Sequence, residues 1–283
     1  MSQSLQEIVN MQNDVKSSSQ RVWEVDFLRG FLLLFVVLDH FMFNVWYFCS
    51  NAQTAVFRWL YGLSLDYYNE HVLLGAVQNA THNGFIMAFV FIAGVSCALT
   101  SSNLKRALKL SAVALLLTAV TSALSQVVYR PLEINFNVIH VLAVCCFVWC
   151  LVEAVKQKLT VSNHKVLHIV LVCIAVVLGV VGYYFHANPI ENGGVLVVLI
   201  RCGNSSIFSP ADYLPLLPAL SFYIVGACVG AKAYGKRQSV LGSKPQIATP
   251  FCWLGKYSLY VYLASQAAMF AIFYLFTQVL PIF

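Results

Sequence analysis

Long apolar stretches recur along the whole chain and constrain its fold more than any other feature. Each has about the length that a helix needs to cross a hydrocarbon core roughly 30 Å thick. Hydrophobic residues make up 60% of the 283 residues and charged residues 10%, against about 25% charged residues in soluble domains. These features predict an all-α, polytopic transmembrane helix bundle of about seven to nine spans in the cell membrane. The clearest stretches are 27–49, 84–100, 107–128, 137–155, 166–185, 214–231 and 257–280.

The segments between these stretches predict the rest of the organisation. Residues 1–22 are polar and predict a cytoplasmic N-terminal segment, so the first span is the membrane anchor rather than a cleaved signal peptide. Residues 23–283 then form a single transmembrane domain. Residues 52–78 mix aromatic and polar side chains and suit an interfacial helix. Residues 194–200 are too short to span and leave two alternatives, a re-entrant piece or an extended outer segment.

The distribution of positive charge predicts the orientation. Cytoplasmic loops retain Lys and Arg during insertion. With the N-terminus inside, only Arg58, Arg130 and Arg201 of the 17 Lys and Arg residues fall outside. The net charge of +6 therefore reflects topology. Nucleic acid is not an expected partner, because the chain has neither a basic groove nor an aromatic platform.

Small residues and cysteines in the spans predict packing rather than chemistry. Gly94, Gly226 and Gly230 are expected where two helices approach closely. The cysteines show no spacing typical of a metal site, so no metal is expected. Cys49 and Cys202 both fall on the predicted outer side, where a disulfide and two separate thiols are both open alternatives.

The first span combines an apolar run with ionisable residues in "RVWEVDFLRGFLLLFVVLDHFMFNVWYF", residues 21–48. At 100° per residue, Asp26, Arg29, His40 and Asn44 share one face of a helix, whereas Asp39 points away. His40 lies about 20 Å beyond Asp26, toward the outer half of the membrane. An ionisable group inside a span costs several kcal/mol unless it faces protein or water, so these residues are candidates for function. A simple interfacial ion pair remains the alternative for Asp26 and Arg29.

Other polar residues enter their spans at similar depth. His82, Asn137, His140 and Asp212 all approach from the predicted outer side, and Gln266 is expected near the midplane. We predict an outward-opening cavity that gathers His40, His140 and Asp212.

Several segments, in order, resemble a known family. They are "RVWEVDFLRG…DHF", "FIAGVSC" followed by "SSNLKRALKL", "INFNVIHVLAV", "FSPADYLPLLPALSFYIVGACVG" and "WLGKYSLYVYLASQ". The chain resembles bacterial membrane proteins grouped with the catalytic domain of heparan-α-glucosaminide N-acetyltransferase. Its opening, with Arg21, Asp26, Arg29, Gly30 and His40, is also similar to that of the broader transmembrane acyltransferases.

The resemblance implies transfer of an acetyl group from cytoplasmic acetyl-CoA to an amino sugar or glycan hydroxyl at the outer face, with His40 as the catalytic histidine. Acyl transfer requires a base or nucleophile and donors to the developing oxyanion. His40 suits the role of base or acyl carrier, and Asn44, Asn137 or Gln266 that of donor. Asp212 or His140 would orient the acceptor or the His40 ring. The expected contacts to CoA phosphates come from a set of residues at the cytoplasmic end: Arg21, Arg29, Lys105 and Arg106, with Asp26 beside them.

Two positions depart from the family pattern. Ser265 and Ala267 stand where relatives commonly have a histidine and a proline. A non-catalytic membrane subunit therefore stays open as an alternative. A transporter or flippase for a polar or lipid-linked solute, with the polar residues lining its pathway, is a separate alternative. The acceptor, and whether the chain forms a homodimer among the membrane lipids, also stay open.

Overall fold

The computed structural model describes residues 21–128, 133–158, 164–191, 193–202 and 212–279. Most of the predicted polar segment 1–22 lies outside these residues. The described residues form ten α-helices and no strand. The helices are α1 (Trp23–Phe48), α2 (Ala55–Tyr67), α3 (Leu73–Asn79), α4 (Ile86–Val95), α5 (Asn103–Val128), α6 (Val138–Lys158), α7 (His164–Ala187), α8 (Leu216–Ala233), α9 (Thr249–Lys256) and α10 (Ser258–Tyr274).

Six helices are long and apolar enough to cross a membrane. They correspond to six of the predicted spans, and the predicted all-α membrane bundle is confirmed. The predicted span 84–100 differs, because its apolar helix covers only Ile86–Ala98. The helical segment that contains α4 begins earlier in the chain, with α3, and a π-helix at Ala80–Phe85 joins α3 to α4.

Two connecting segments also differ in detail from the sequence prediction. Residues 52–78 hold two helices, α2 and α3, where one interfacial helix was expected. Residues Gly194–Val198 form a 3₁₀-helix and not an extended segment.

Cys49 packs with Val45 and Phe273, whereas Cys202 packs in a separate cluster with Val197. Both are free thiols, so the disulfide alternative is not realised.

The interior lies between α1, α4, α6 and α8. α4 packs along α8, α5 along α6, and α7 along the other side of α8. α5 and α7 turn large apolar side chains outward, among them Leu115, Leu116, Val177 and Val180. A continuous exposed apolar surface of this kind suits contact with lipid tails.

Glycines set the two closest helix contacts, and the sequence predicts the one at Gly94 and Gly226 but not the one at Gly255. A Cβ on Gly94 would collide with the backbone of Tyr223 in α8, and a Cβ on Gly226 with the backbone of Phe91 in α4. At the other contact, a Cβ on Gly255 of α9 would collide with the backbone of Asp26. The second contact fixes the start of α1, where the first ionisable residues lie.

Candidate functional site

His40 and Asp212 form the centre of a polar network inside the bundle. His40 Nε2 lies 3.2 Å from Asp212 Oδ1, and both side chains are largely shielded from solvent. His40 Nδ1 lies 2.8 Å from the carbonyl oxygen of Val36, one turn earlier in α1. Both ring nitrogens therefore face hydrogen-bond acceptors when Asp212 is ionised, and a protonated imidazolium satisfies both contacts.

Two further side chains hold the Asp212 carboxylate. Asn137 Nδ2 donates to Oδ2 at 2.9 Å, and the Tyr262 hydroxyl donates to the same oxygen at 2.7 Å. Asp212 has a φ of 53°, a left-handed conformation that is uncommon for residues other than glycine. Such conformations persist where the surroundings determine them, and they cluster at functional sites.

The residues next to Asp212 fix its position. The Tyr213 hydroxyl donates to the carbonyl oxygens of Val197 and Ile200, and burial raises the pKa of this phenol above its ordinary value. The Leu214 amide donates to the carbonyl of Phe136 at 3.2 Å, next to Asn137. The carboxylate is thus placed by contacts of the two residues that follow it in the chain.

The network continues from Asn137 to His140 and α5. His140 Nδ1 lies 2.9 Å from Asn137 Oδ1, and His140 Nε2 lies 3.0 Å from Thr118 Oγ1. The structure therefore brings His40, Asp212 and His140 together through Asn137. Asn44 is buried, but it donates to the His40 carbonyl at 2.8 Å and so contacts the backbone of the site rather than Asp212.

Gln266 lies one turn after Tyr262 on the same face of α10. Its Nε2 is buried and has no hydrogen-bond partner among the described residues. A buried amide donor without a partner costs about 1–3 kcal/mol. This nitrogen is thus a donor that a ligand can satisfy.

Asp39 faces away from Asp212, as its helix angle predicts. Its carboxylate accepts a hydrogen bond from the Tyr67 hydroxyl at 3.1 Å and lies 3.4 Å from His82 Nδ1. Asp39, Tyr67 and His82 therefore form a second polar group, on the side of α1 that faces away from Asp212. His82 is the exposed member of this group.

A second charged cluster lies about 21 Å along α1 from His40, at the predicted cytoplasmic end. Asp26 pairs with Arg29 at 3.3 Å and with Arg21 at 3.4 Å. Arg29 also donates to the Gly255 carbonyl at 3.3 Å and to the Ser96 hydroxyl.

The two α5 residues predicted at this end differ in their surroundings. Arg106 turns inward to the carbonyl of Ala93, at 3.1 Å, and to the thiol of Cys97. Lys105 is exposed. Arg106 and Lys105 therefore do not share one surface, although they are neighbours in sequence.

Sequence reasoning missed Tyr262, which makes the shortest contact to Asp212. Its only sequence signal is its spacing of four residues from Gln266.

No group of three or more potential metal ligands occurs among the described residues.

These features define a helical integral-membrane protein with an internal polar site. A comparison with protein families matches residues 21–267 to the family described as heparan-alpha-glucosaminide N-acetyltransferase, catalytic. The chain belongs to this family, as the sequence motifs predict, and the family indicates a membrane acyltransferase-like function. The matched range includes His40, Asp212 and Gln266. Comparisons with curated proteins and with solved structures gave no match.

Proposed function

We propose that the protein transfers an acetyl group from acetyl-CoA, at the cytoplasmic face, to an amine or hydroxyl of an amino sugar or glycan at the outer face of the cell membrane. The observation that carries this proposal is the His40–Asp212 contact of 3.2 Å, held inside the bundle by Asn137 and Tyr262. Membership of the acetyltransferase family supports the reaction class.

His40 acts as the general base in this proposal. The neutral ring keeps its proton on Nδ1, which donates to the Val36 carbonyl, and Nε2 takes the proton of the amine or hydroxyl as that group attacks the thioester carbonyl carbon. The imidazolium that forms is stabilised by Asp212, as a carboxylate stabilises the histidine of a catalytic triad. When the carbon–sulfur bond breaks, the proton passes to the CoA thiolate, and the ring is neutral again.

Gln266 supplies the donor to the oxyanion. Its buried Nε2 has no partner among the described residues, whereas the Tyr262 hydroxyl is engaged by Asp212. A preorganised donor of this kind stabilises the charge that develops on the thioester carbonyl oxygen, and its loss costs about 10²–10³-fold in kcat. Asn137 and Tyr262 instead hold the Asp212 carboxylate.

The contacts at the cytoplasmic end narrow the set of residues available to CoA phosphates. Both terminal nitrogens of Arg29 already contact protein groups, and Arg106 faces the interior. The Arg21 side chain is 56% exposed, and Lys105 is exposed as well. We therefore assign phosphate contacts to Arg21 and Lys105, and a structural role to Asp26 and Arg29.

The test uses purified protein in lipid nanodiscs with radiolabelled acetyl-CoA and a panel of amino sugars. We expect label transfer by the wild type and by the control His168→Gln, which changes a histidine on α7. His40→Ala should lower the rate by about 10²–10⁴-fold, the usual contribution of a general base. The proposal fails if wild type and His40→Ala show the same transfer and the same thioester hydrolysis.

A single-turnover experiment separates the base from an acyl carrier. Protein is mixed with labelled acetyl-CoA without acceptor and passed over a desalting column. A base leaves the protein unlabelled, whereas an acetyl-imidazole on His40 would elute with the protein and disappear in His40→Ala.

A further inference from the structure

Two lysines at the predicted cytoplasmic end of the bundle each lie against an exposed tyrosine where α10 begins. Lys109 Nζ, on α5, lies 3.0 Å from the Tyr260 hydroxyl and 5.0 Å from the centre of its ring. Lys256 Nζ, at the end of α9, lies 5.0 Å from the centre of the Tyr257 ring. Tyr257 directly precedes α10 and Tyr260 lies in its first turn. The two ammonium groups therefore share one surface, which joins α5 to the start of α10.

This surface carries positive charge that the described part of the chain does not neutralise. Neither Lys109 nor Lys256 pairs with a carboxylate among the described residues. A tyrosine orients an ammonium group but leaves its charge in place, and Lys109 keeps donors beyond the one that it directs to Tyr260. Lys109 also lies about 9 Å along α5 from its first residue, within a helix that can span the membrane. A charge at this depth is costly without a partner, so the surface suits an anion from outside the chain.

The aromatic side chains place this surface at the boundary between lipid and water. Trp253 of α9 packs on Tyr257, with ring centres 5.3 Å apart. The Trp253 and Tyr260 side chains are large and apolar, yet 57% and 59% exposed. Trp and Tyr are enriched at the level of the lipid headgroups, because their rings are apolar at one end and polar at the other. The anion that meets the two lysines is thus expected among those headgroups.

An apolar track leads from the two lysines toward the middle of the membrane. Leu116 and Val120 lie seven and eleven residues after Lys109, on the same face of α5, and both are exposed. The corresponding face of α10 beyond Tyr260 exposes small side chains, those of Ala264, Ala267 and Ala271. The large side chains of α5 beside the small ones of α10 leave room for an acyl chain that extends from a headgroup at the lysines.

We propose that this surface binds an acidic phospholipid of the predicted cytoplasmic leaflet, with Lys109 and Lys256 contacting its phosphate and one acyl chain lying along α5 and α10. Basic surfaces between transmembrane helices commonly bind such headgroups. A zwitterionic lipid also has a phosphate, but its own cation cancels the charge that the two lysines require. The inference goes beyond the proposed function and does not rest on it. The bound lipid would join α5 to α10, the helix that carries Tyr262 and Gln266.

The test measures quenching of Trp253 fluorescence in phosphatidylcholine nanodiscs that contain a minor fraction of a lipid with brominated chains. That lipid is either phosphatidylglycerol, which is acidic, or phosphatidylcholine, and the difference between wild type and Trp253→Phe isolates the signal of Trp253. We expect brominated phosphatidylglycerol to bind more tightly than brominated phosphatidylcholine. Lys109→Gln and Lys256→Gln should each lower this preference about fivefold, the value of one lysine beside anionic lipid. Lys109→Arg and Lys256→Arg should keep most of it, because they keep the charge.

Lys236→Gln is the matched control, because Lys236 is exposed on the same predicted side and is not part of this surface. It should leave the preference unchanged, and an equal loss in Lys236→Gln would overturn the proposal by showing a general effect of net charge. Equal quenching by the two brominated lipids in the wild type would also overturn it, as would loss of the preference in the arginine variants. If saturating acetyl-CoA abolishes the preference, the two lysines bind the phosphates of the cofactor instead of a lipid, and the proposal is wrong.

Discussion

The Asp212 carboxylate contacts the Tyr262 hydroxyl at 2.7 Å through Oδ2 and the His40 ring at 3.2 Å through Oδ1. The two rings also meet edge to face, with centroids 5.7 Å apart. One carboxylate in the segment before α8 therefore links α1 to α10. The orientation of the His40 ring thus depends on a residue that lies 222 positions further along the chain.

Tyr262→Phe tests this dependence. Phenylalanine keeps the ring packing but removes the donor to Asp212, which is worth about 1.5 kcal/mol for a contact to a charged group. We expect the rate of acetyl transfer to fall about tenfold, measured as initial rates in nanodiscs. Tyr257→Phe, at an exposed tyrosine before α10, is the control. An unchanged rate in Tyr262→Phe would show that Asn137 alone suffices to hold the carboxylate.

Arg21 and Arg29 both pair with Asp26, but we expect them to contribute differently to stability. The Arg29 side chain is 18% exposed and that of Asp26 12% exposed, so Arg29→Gln leaves a shielded carboxylate without its closest partner. Loss of one partner of a buried pair costs about 3–5 kcal/mol. The Arg21 side chain is 56% exposed, and an exposed pair contributes about 0–1 kcal/mol.

Thermal unfolding in detergent measures this difference. Arg29→Gln should lower the melting temperature markedly, and Arg21→Gln should leave it nearly unchanged. If Arg21 binds CoA phosphate, as we propose, Arg21→Gln should instead raise the KM for acetyl-CoA. Equal destabilisation by both variants would contradict the assignment of Arg29 to structure.

Local patterns were sufficient to predict much of the fold and part of the site. Hydropathy located six helices because a span must be apolar along its whole length, and helix angles separated His40 from Asp39. Residues such as Asn137, His140 and Asp212 stood out because polar groups inside spans are costly.

The remaining features depend on tertiary contacts that local patterns do not encode. Tyr262 sits in an aromatic-rich apolar run, where a phenol that binds a carboxylate looks the same as one that packs against lipid. Arg106 is predicted to contact CoA phosphates, because it lies at the cytoplasmic end of its span and a guanidinium suits phosphate oxygens. The rotation of α5 instead turns it toward Cys97. Spacing along one helix shows which side chains share a face of that helix. Which face is turned toward the interior depends on how the other helices pack against it.

The close contact between α4 and α8 should not tolerate side chains at its glycines. A Cβ on Gly226 would meet the backbone of Phe91, which cannot move as a flexible side chain can. We expect Gly226→Val to lower the unfolding free energy by about 1–3 kcal/mol or more, the usual effect of overpacking. Gly62→Ala is the control, because a Cβ there meets nothing within 4 Å, and alanine should stabilise α2 by up to about 1 kcal/mol. Equal melting temperatures for Gly226→Val and wild type would contradict the close backbone contact between these two helices.

The orientation of the bundle decides which face acetyl-CoA reaches, and thiol labelling tests it directly. In a background without the native cysteines, His71→Cys and Val240→Cys each place one thiol at an exposed position, 71 before α3 and 240 before α9. Positive charge in the loops predicts that residue 71 is outside and residue 240 inside. A membrane-impermeant maleimide added to intact cells should label His71→Cys and not Val240→Cys, whereas both should react after the cells are permeabilised. Labelling of Val240→Cys alone in intact cells would reverse the orientation and place Arg21 and Lys105 at the outer face, where they could not contact cytoplasmic acetyl-CoA.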